Sequence, residues 1–159
     1  MRITSKKFPR GLKVVGLILN RQKDKILLIE RFNNGRHYYV FPGGGVENTD
    51  KTPEKALERE IKEETNVEIN ILGQFYELQI LGHNRQLVYI CEYISGDLMV
   101  TGEEKNKQNK TDKYIPTWFK VSQLSSINVF PEEIKNWLLD DLKRDRWSKK
   151  RLIADRKDF

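Results

Sequence analysis

Cysteine is nearly absent from the chain, whose only thiol is that of Cys91. A single cysteine cannot form an intramolecular disulfide, which excludes a disulfide framework and is typical of a reducing compartment. Long hydrophobic runs are also missing, since the longest aliphatic stretch, residues 14–19, is far too short to cross a bilayer. The N-terminus lacks the apolar core of a signal peptide. We therefore expect a soluble cytoplasmic protein without a membrane partner.

Excess charge is scarce over most of the chain and is concentrated at its C-terminal end. Residues 143–159 contain eight Lys or Arg and three Asp, so they carry +5 of the total net charge of +6. Such an end is either a solvated tail or a contact with a nucleic-acid backbone. A dedicated RNA enzyme should extend its positive surface into the catalytic body, which here is nearly neutral. We therefore expect a solvated tail, and nucleic acid is not an expected partner.

The length of 159 residues predicts one domain, which we place at residues 1–143, followed by a basic tail at 144–159. Apolar runs predict strands before and after a short helix, and a second amphipathic helix is predicted after residue 131. The predicted strands are 12–20, 25–32, 37–41, 67–81, 85–95, 98–101 and 114–121. This order predicts an α/β (α+β) fold, with a mixed sheet that carries helices on its faces.

The most informative stretch is residues 41–67, FPGGGVENTDKTPEKALEREIKEETNV. It begins with a glycine run, which allows close approach of the backbone, and continues into a predicted helix. Thr52 suits the N-cap and Pro53 the first helical position, where the missing N–H has no partner to lose. Asn66 suits the end of the helix because it tolerates the left-handed conformation.

Three glutamates of this helix lie on or beside the face that should turn inward. At about 100° per residue, Glu60 and Glu64 fall inside the apolar stripe, and Glu63 falls on its border. The apolar stripe consists of Ala56, Leu57 and Ile61. Carboxylates at this spacing repel one another, and an unpartnered inward carboxylate costs several kcal/mol. The alternative, a solvated acidic face, is the commoner situation for such helices but fits these angles poorly.

A bound divalent cation would remove both the repulsion and the burial penalty. Carboxylate oxygens are hard ligands, which suit Mg²⁺, with Mn²⁺ as a substitute. The chain has no cluster of cysteine and histidine, so zinc is not expected. The helix therefore predicts a magnesium site.

Residues 44–67 resemble the signature box of the Nudix hydrolases. The core of that box, Arg-Glu-apolar-x-Glu-Glu, is matched in order by Arg59, Glu60, Ile61, Lys62, Glu63 and Glu64. Val67 matches the last apolar position of the box. The chain departs from the pattern in two places. One extra residue stands between Gly44 and Arg59, so that the spaced glutamate of the family falls on Asp50 or Lys51, and Asn66 replaces the terminal glycine.

The resemblance implies an α/β/α sandwich and a Mg²⁺-dependent pyrophosphohydrolase. Such an enzyme cleaves the P–O–P bond of a nucleoside diphosphate that is linked to another group. Nucleoside triphosphates, dinucleoside polyphosphates, nucleotide sugars and ADP-ribose all remain open as substrates. Two alternatives remain: a catalytically silent nucleotide-binding regulator on the same fold, and an RNA-directed, decapping-type enzyme. A homodimer is left open as the assembly.

The same resemblance implies roles for individual residues. The metal ligands would be the carbonyl of Gly43 with Glu60, Glu63 and Glu64, and Arg59 would orient the carboxylates. The general base is left open between a helix glutamate such as Glu64 and a glutamate of the later loop, of which Glu104 is the candidate.

Four further residues are candidates for substrate binding. Arg31, at the end of a strand, could meet phosphate oxygens, and the backbone of Gly44 could approach them closely. Tyr114 and Trp118 lie on a predicted strand. Aromatic residues there are more often part of the core, and the alternative is stacking on a nucleobase.

Overall fold

A computed structural model of the chain describes residues 7–99 and 111–155. Its elements, in chain order, are β1 (Leu12–Leu19), β2 (Lys25–Asn33), β3 (Arg36–Val40), β4 (Gly43–Gly45), α1 (Pro53–Thr65), β5 (Glu68–Ile80), β6 (Asn84–Ser95), β7 (Asp112–Lys120), β8 (Val129–Phe130), α2 (Glu132–Arg144) and β9 (Lys150–Ala154). A 3₁₀ turn, Val121–Ser126, joins β7 to β8. Within the described ranges, neither helix is long and apolar enough to cross a membrane.

Helix α1 begins and ends where the sequence predicts. The Thr52 hydroxyl accepts a hydrogen bond from the backbone N–H of Lys55 at 3.1 Å, which satisfies one of the free donors of the first turn. Asn66 takes the left-handed conformation, with φ of 67°, and its N–H bonds to the carbonyl of Lys62. These two caps fix the length of α1, and thereby the position of its glutamates.

Strand β1 pairs with one strand along one edge and with two strands along the other edge, and this arrangement opens the sheet. One edge pairs with β6 in parallel along its whole length, from Leu12 to Leu19. The other edge pairs with β2 at Leu19 but with β4 at residues 13–15. Because β4 occupies that edge, β2 must diverge from β1 toward the start of β1. The sheet therefore has a split between β1 with β4 on one side and β2 with β7 on the other.

The sheet is covered on both faces, which confirms the predicted α/β (α+β) class with a mixed sheet. Its order is β8-β3-β2-β1-β6-β5-β9, with β4 on β1 and β7 on β2. Helix α1 packs Leu57 and Ile61 on one face, and α2 packs Ile134 and Leu138 on the other. Burial of these apolar side chains from both faces holds the sheet between the two helices.

The C-terminal segment differs from the predicted solvated tail. Residues 150–154 form β9, which pairs in parallel with β5 and becomes the last strand of the sheet. The charges of this segment hide the strand in the sequence, because Lys150 and Arg151 lie inside it. A charged residue such as Lys150 can lie in this strand because Asp141 of α2, whose side chain is fully buried, pairs with its ammonium group.

Two other boundaries also differ from the prediction. Strand β7 begins at Asp112, two residues before the predicted start, because it continues the ladder with β2 to Asn33. Of the predicted strand 98–101, Leu98 and Met99 belong to no strand, and its other two residues lie outside the described part of the chain.

Candidate active site

A cleft of about 450 Å³ lies in the split of the sheet. The lining residues come from β1, β2, β3, β4, α1, β6 and β7. They are Lys13, Val14, Val15, Arg31, Val40, Phe41, Gly43, Gly44, Gly45, Glu60, Glu64, Gln86 and Tyr114. The glycine run and two glutamates of α1, Glu60 and Glu64, therefore meet in one place with two of the candidate substrate-binding side chains, whereas Glu63 is not among the lining residues.

Strand β4 brings the backbone directly against the α1 glutamates. The N–H of Gly43 donates to Oε1 of Glu64 at 2.9 Å. A Cβ at Gly44 would lie 2.4 Å from the carboxylate carbon of Glu60, and one at Gly43 would lie 2.0 Å from the Val14 carbonyl oxygen. No larger residue fits at either position without displacement. The glycine run is therefore needed for this close contact.

Arg59 holds the acidic residues in place. Its Nε and Nη2 donate to the two oxygens of Asp50, at 3.0 and 2.9 Å. Its Nη1 donates to Glu60 at 3.0 Å and lies 3.5 Å from Glu63. A fork of this kind fixes the direction of the guanidinium as well as its charge. The hydrogen bonds to Asp50 raise the pKa of Arg59 far above its ordinary value.

Of the two positions on which the spaced glutamate could fall, Asp50 is the one whose side chain reaches Arg59. Its side chain is only 7% exposed and also accepts a hydrogen bond from the backbone N–H of Glu47 at 2.8 Å. The hydrogen bond with Arg59 is the main cause that lowers the pKa of Asp50. The extra residue in the box therefore does not remove this contact, although it left two candidates in the sequence.

The donor set fits a hard divalent cation, but the carboxylates are engaged with protein groups. Within residues 7–99 and 111–155, no three side chains of His, Cys, Asp or Glu are placed to share one ion. Glu60 pairs with Arg59, Glu64 accepts from Gly43, and the Glu63 side chain is 46% exposed. Bare carboxylates at this spacing take such partners because they repel one another. A cation would compete for Glu60 and Glu64 from the cleft side.

The two candidate residues on the β2–β7 wall form a single unit. The Arg31 guanidinium stacks over the Tyr114 ring, with its central carbon 3.8 Å from the ring centroid. Its Nη2 also donates to Asp112 at 3.0 Å. The side chain is only 16% exposed, so its position is fixed by these contacts. This wall offers an aromatic ring and a guanidinium to the cleft.

The remaining candidates lie elsewhere. Trp118 packs beside the cluster under α1, edge-on to Tyr93 at 5.3 Å, and does not line the cleft. Its neighbour in the β2–β7 ladder is the buried Leu27, which explains its inward direction. Glu104 lies outside the described residues.

Lys13 and Gln86 line the cleft although the sequence did not single them out. They are paired neighbours on β1 and β6, and Lys13 pairs with Gly45 on its other side. A lysine near the start of an otherwise apolar strand, LKVVGLIL, is a visible signal. No comparable signal exists for Gln86, because its place depends on the parallel pairing of two distant strands.

Comparison with known proteins gives consistent matches. The chain is 29% identical to an RNA pyrophosphohydrolase of Stenotrophomonas maltophilia over 129 residues, covering 69% of this chain and 61% of that protein. It is 37% identical to an ADP-ribose pyrophosphatase of Methanocaldococcus jannaschii over 104 residues, 62% of this chain and 60% of that protein. The matches thus span less than two thirds of these curated relatives.

Solved structures show the same fold at lower sequence identity. A NUDIX hydrolase from Nitrosomonas europaea superposes with a TM-score of 0.68 at 15% identity, covering 94% of this chain and 82% of that one. The sequence model of the NUDIX domain matches residues 10–140, which include every element from β1 to the body of α2. The chain therefore belongs to the Nudix family.

Proposed function

We propose that the chain is a Mg²⁺-dependent pyrophosphohydrolase that cleaves the P–O–P bond of a nucleoside diphosphate linked to another group. The observation that supports this most is the meeting of Glu60 and Glu64 with the glycine backbone inside the cleft. The relatives named above are both pyrophosphate-cleaving by name, although they differ in substrate.

In this proposal the metal is held by Glu60, Glu63 and Glu64 with the carbonyl of Gly43, and Mn²⁺ can substitute for Mg²⁺. When bound, the ion neutralises pyrophosphate oxygens and lowers the pKa of a water molecule. Arg59 keeps the carboxylates directed at the cleft, and Asp50 in turn fixes Arg59. Asp50 is thus a positioning residue.

The reaction is a hydrolysis at phosphorus. The water oxygen bonds to one phosphorus atom while the bridging oxygen leaves with the other phosphate, and the water proton passes to a carboxylate. Glu64 is supported for this role by its position at the cleft wall, where one of its oxygens accepts from the Gly43 N–H. Glu104 remains the other candidate base. Glu64→Gln and Glu104→Gln therefore need to be compared side by side.

On the β2–β7 wall, Tyr114 and Arg31 are proposed to contact the nucleoside part and the phosphate oxygens. The ring offers a stacking surface, and the guanidinium beside it offers donors. The backbone of Gly44, with no Cβ, allows the phosphates to approach. We do not assign Trp118 to this contact because it packs away from the cleft.

The test is a substrate panel read by phosphate release and product masses. GTP, a dinucleoside polyphosphate, a nucleotide sugar and ADP-ribose are incubated with the full chain in Mg²⁺, in Mn²⁺ and in EDTA. We expect metal-dependent cleavage of at least one of them into two phosphorylated products. Nucleotide binding without turnover in either metal would instead favour the silent regulator.

A further inference from the structure

Two polar side chains of the cleft have no role in the chemistry proposed above. Lys13 and Gln86 stand on the β1–β6 wall, opposite Arg31 and Tyr114 across the split of the sheet. The two walls differ in character, because one offers a ring and a fixed guanidinium whereas the other offers an ammonium and an amide. A substrate that spans the cleft must match both.

Lys13 is the cation of the cleft that is not engaged elsewhere. The Arg31 guanidinium pairs with Asp112, whereas the Lys13 side chain has no hydrogen-bond or ion-pair partner in the described part of the chain. An exposed ammonium is a mobile, strongly hydrated point charge, which suits a phosphate oxygen. Its charge is therefore available to a ligand.

Gln86 is the uncharged polar side chain of the β1–β6 wall. Its side chain is 8% exposed, and its Nε2 donates to Oδ1 of Asn84 at 2.9 Å. This bond uses one of the two N–H donors of the amide and leaves the other N–H and the acceptor oxygen. Because the amide is uncharged, Lys13 must supply the charge attraction for any negative group bound on the β1–β6 wall.

The register of β4 places Lys13 beside the metal-ligand candidates. Gly43 and Gly44 contact Glu64 and Glu60, and the next residue, Gly45, pairs with Lys13. Nothing lies within 4 Å of a Cβ built at Gly45, so the space beside Lys13 is open. A chain of phosphates lying over Gly43 and Gly44 would therefore continue toward Lys13.

From this geometry we infer that Lys13 binds a third phosphate of the substrate and selects 5′-triphosphates over two-phosphate esters. The inference rests on the proposed function and specifies its substrate class. The shared ligand is the triphosphate group, which either a free nucleoside triphosphate or the 5′ end of an RNA can supply. Lys13 is thus a specificity-determining residue that does not touch the metal site.

The test compares Lys13→Gln with the wild-type chain on GTP, on a short 5′-triphosphorylated RNA and on ADP-ribose in Mg²⁺. We expect kcat/KM to fall about tenfold for the triphosphates and less than threefold for ADP-ribose, as for loss of one charge-assisted contact. Lys13→Arg should retain most of the preference. Lys25→Gln is the matched control, since Lys25 is an exposed lysine of β2 outside the cleft. A larger fall with GTP than with RNA identifies the free nucleotide as the source, and the reverse identifies RNA.

Calorimetric titration of GTP and GDP in EDTA provides a readout without turnover. Lys13→Gln should weaken GTP binding about tenfold more than GDP binding. Equal losses on all three substrates, no loss on any, or a wild-type chain that neither binds nor cleaves triphosphates would overturn the inference. If ADP-ribose is cleaved in that last case, the proposed function still stands. If nothing is cleaved but GTP binding depends on Lys13, the proposed function fails and the inference survives.

Discussion

At Gly44 there is no room for a side chain beside the candidate metal ligand Glu60. A methyl group there would lie 2.4 Å from the Glu60 carboxylate, which is the movable end of a side chain. Gly44→Ala should therefore leave the protein folded but displace Glu60. Because small displacements of catalytic groups are costly, we expect kcat to fall about 100-fold.

The adjacent Gly45 is the control for this prediction. No atom lies within 4 Å of a Cβ built at Gly45, so Gly45→Ala does not displace Glu60 and should keep kcat at saturating substrate within about threefold. Its methyl group enters the open space beside Lys13, so any loss should appear in KM. Both variants are measured on the best substrate of the panel, with circular dichroism to check folding. Equal activity of the two alanine variants would show that the position of Glu60 is not important for catalysis.

The glutamates themselves give a second prediction at this scale. Glu63→Gln and Glu64→Gln should each lower kcat by about two orders of magnitude, because each removes a charge that would hold the metal. Glu58→Gln serves as the control, since Glu58 is 45% exposed and pairs with Lys55 on the solvent side of the helix. The metal assignment would be refuted if both site variants keep a kcat near that of the wild type in saturating Mg²⁺. If Glu104→Gln has the larger effect on the pH profile, Glu104 is the base.

Residue spacing predicted the direction of the helix glutamates, but it could not predict contacts that depend on a loop path or on strand pairing. Glu60 and Glu64 face the cleft, as predicted. Their direction follows from helical periodicity, which can be calculated from the sequence alone. The fork between Arg59 and Asp50 depends on the path of a loop with one extra residue, which spacing cannot give. Gln86 reaches the cleft only through strand pairing.

At the scale of elements, local signals were sufficient for α1 and most strands. Caps at Thr52 and Asn66 are local, and so is the turn at Asn34 and Gly35, which both have positive φ. The insertion of β4 between β1 and β2 is not local, and it is what opens the cleft. Strand β9 was missed because the partner of Lys150 is a buried Asp141 in another element.

Asp141 links α2 to β9, and loss of its charge should lower the free energy of unfolding. Its carboxylate accepts from the Tyr76 hydroxyl at 2.6 Å and from the Ser148 hydroxyl at 2.7 Å, besides pairing with Lys150. Asp141→Asn should cost about 3 kcal/mol, as for a buried pair that loses one partner. Asp140→Asn, at a neighbouring acid that is 43% exposed, should cost less than about 1 kcal/mol. Urea unfolding of both variants measures this difference, and equal costs would contradict it.

The same carboxylate predicts how stability depends on pH. Burial alone would raise the pKa of Asp141, but hydrogen bonds from Lys150, Tyr76 and Ser148 outweigh it and lower the pKa to about 2, from an ordinary 3.8. The unfolded chain therefore binds the proton first as pH falls. Stability from this group is complete above about pH 4 and is lost toward pH 2, an effect of about 2 kcal/mol. Asp141→Asn should lack this component of the acid transition.

At the scale of the whole molecule, the candidate active-site cleft and the C-terminal strand lie at different places in the sheet. Among residues 7–99 and 111–155, none that lines the cleft lies beyond Tyr114. The basic segment instead completes the far side of the sheet, where β9 covers the edge of β5 and Trp147 lies 6.4 Å from Phe75 between ring centroids. Its positive charge is thus partly used in folding, through Lys150 with Asp141 and Arg151 with Glu77.

Deletion of residues 147–159 tests this separation directly. The truncated chain loses β9 and leaves the Asp141 carboxylate without Ser148 and Lys150, so the melting temperature should fall by roughly 10 °C. Below that temperature, kcat/KM for a mononucleotide substrate should stay within about threefold, because the cleft is intact. A shorter deletion, 156–159, removes Arg156 and Lys157 but spares β9, and so separates the loss of charge from the loss of the strand. If the long deletion abolishes activity on a triphosphorylated RNA while GTP turnover is retained, the segment binds RNA as well as stabilising the sheet.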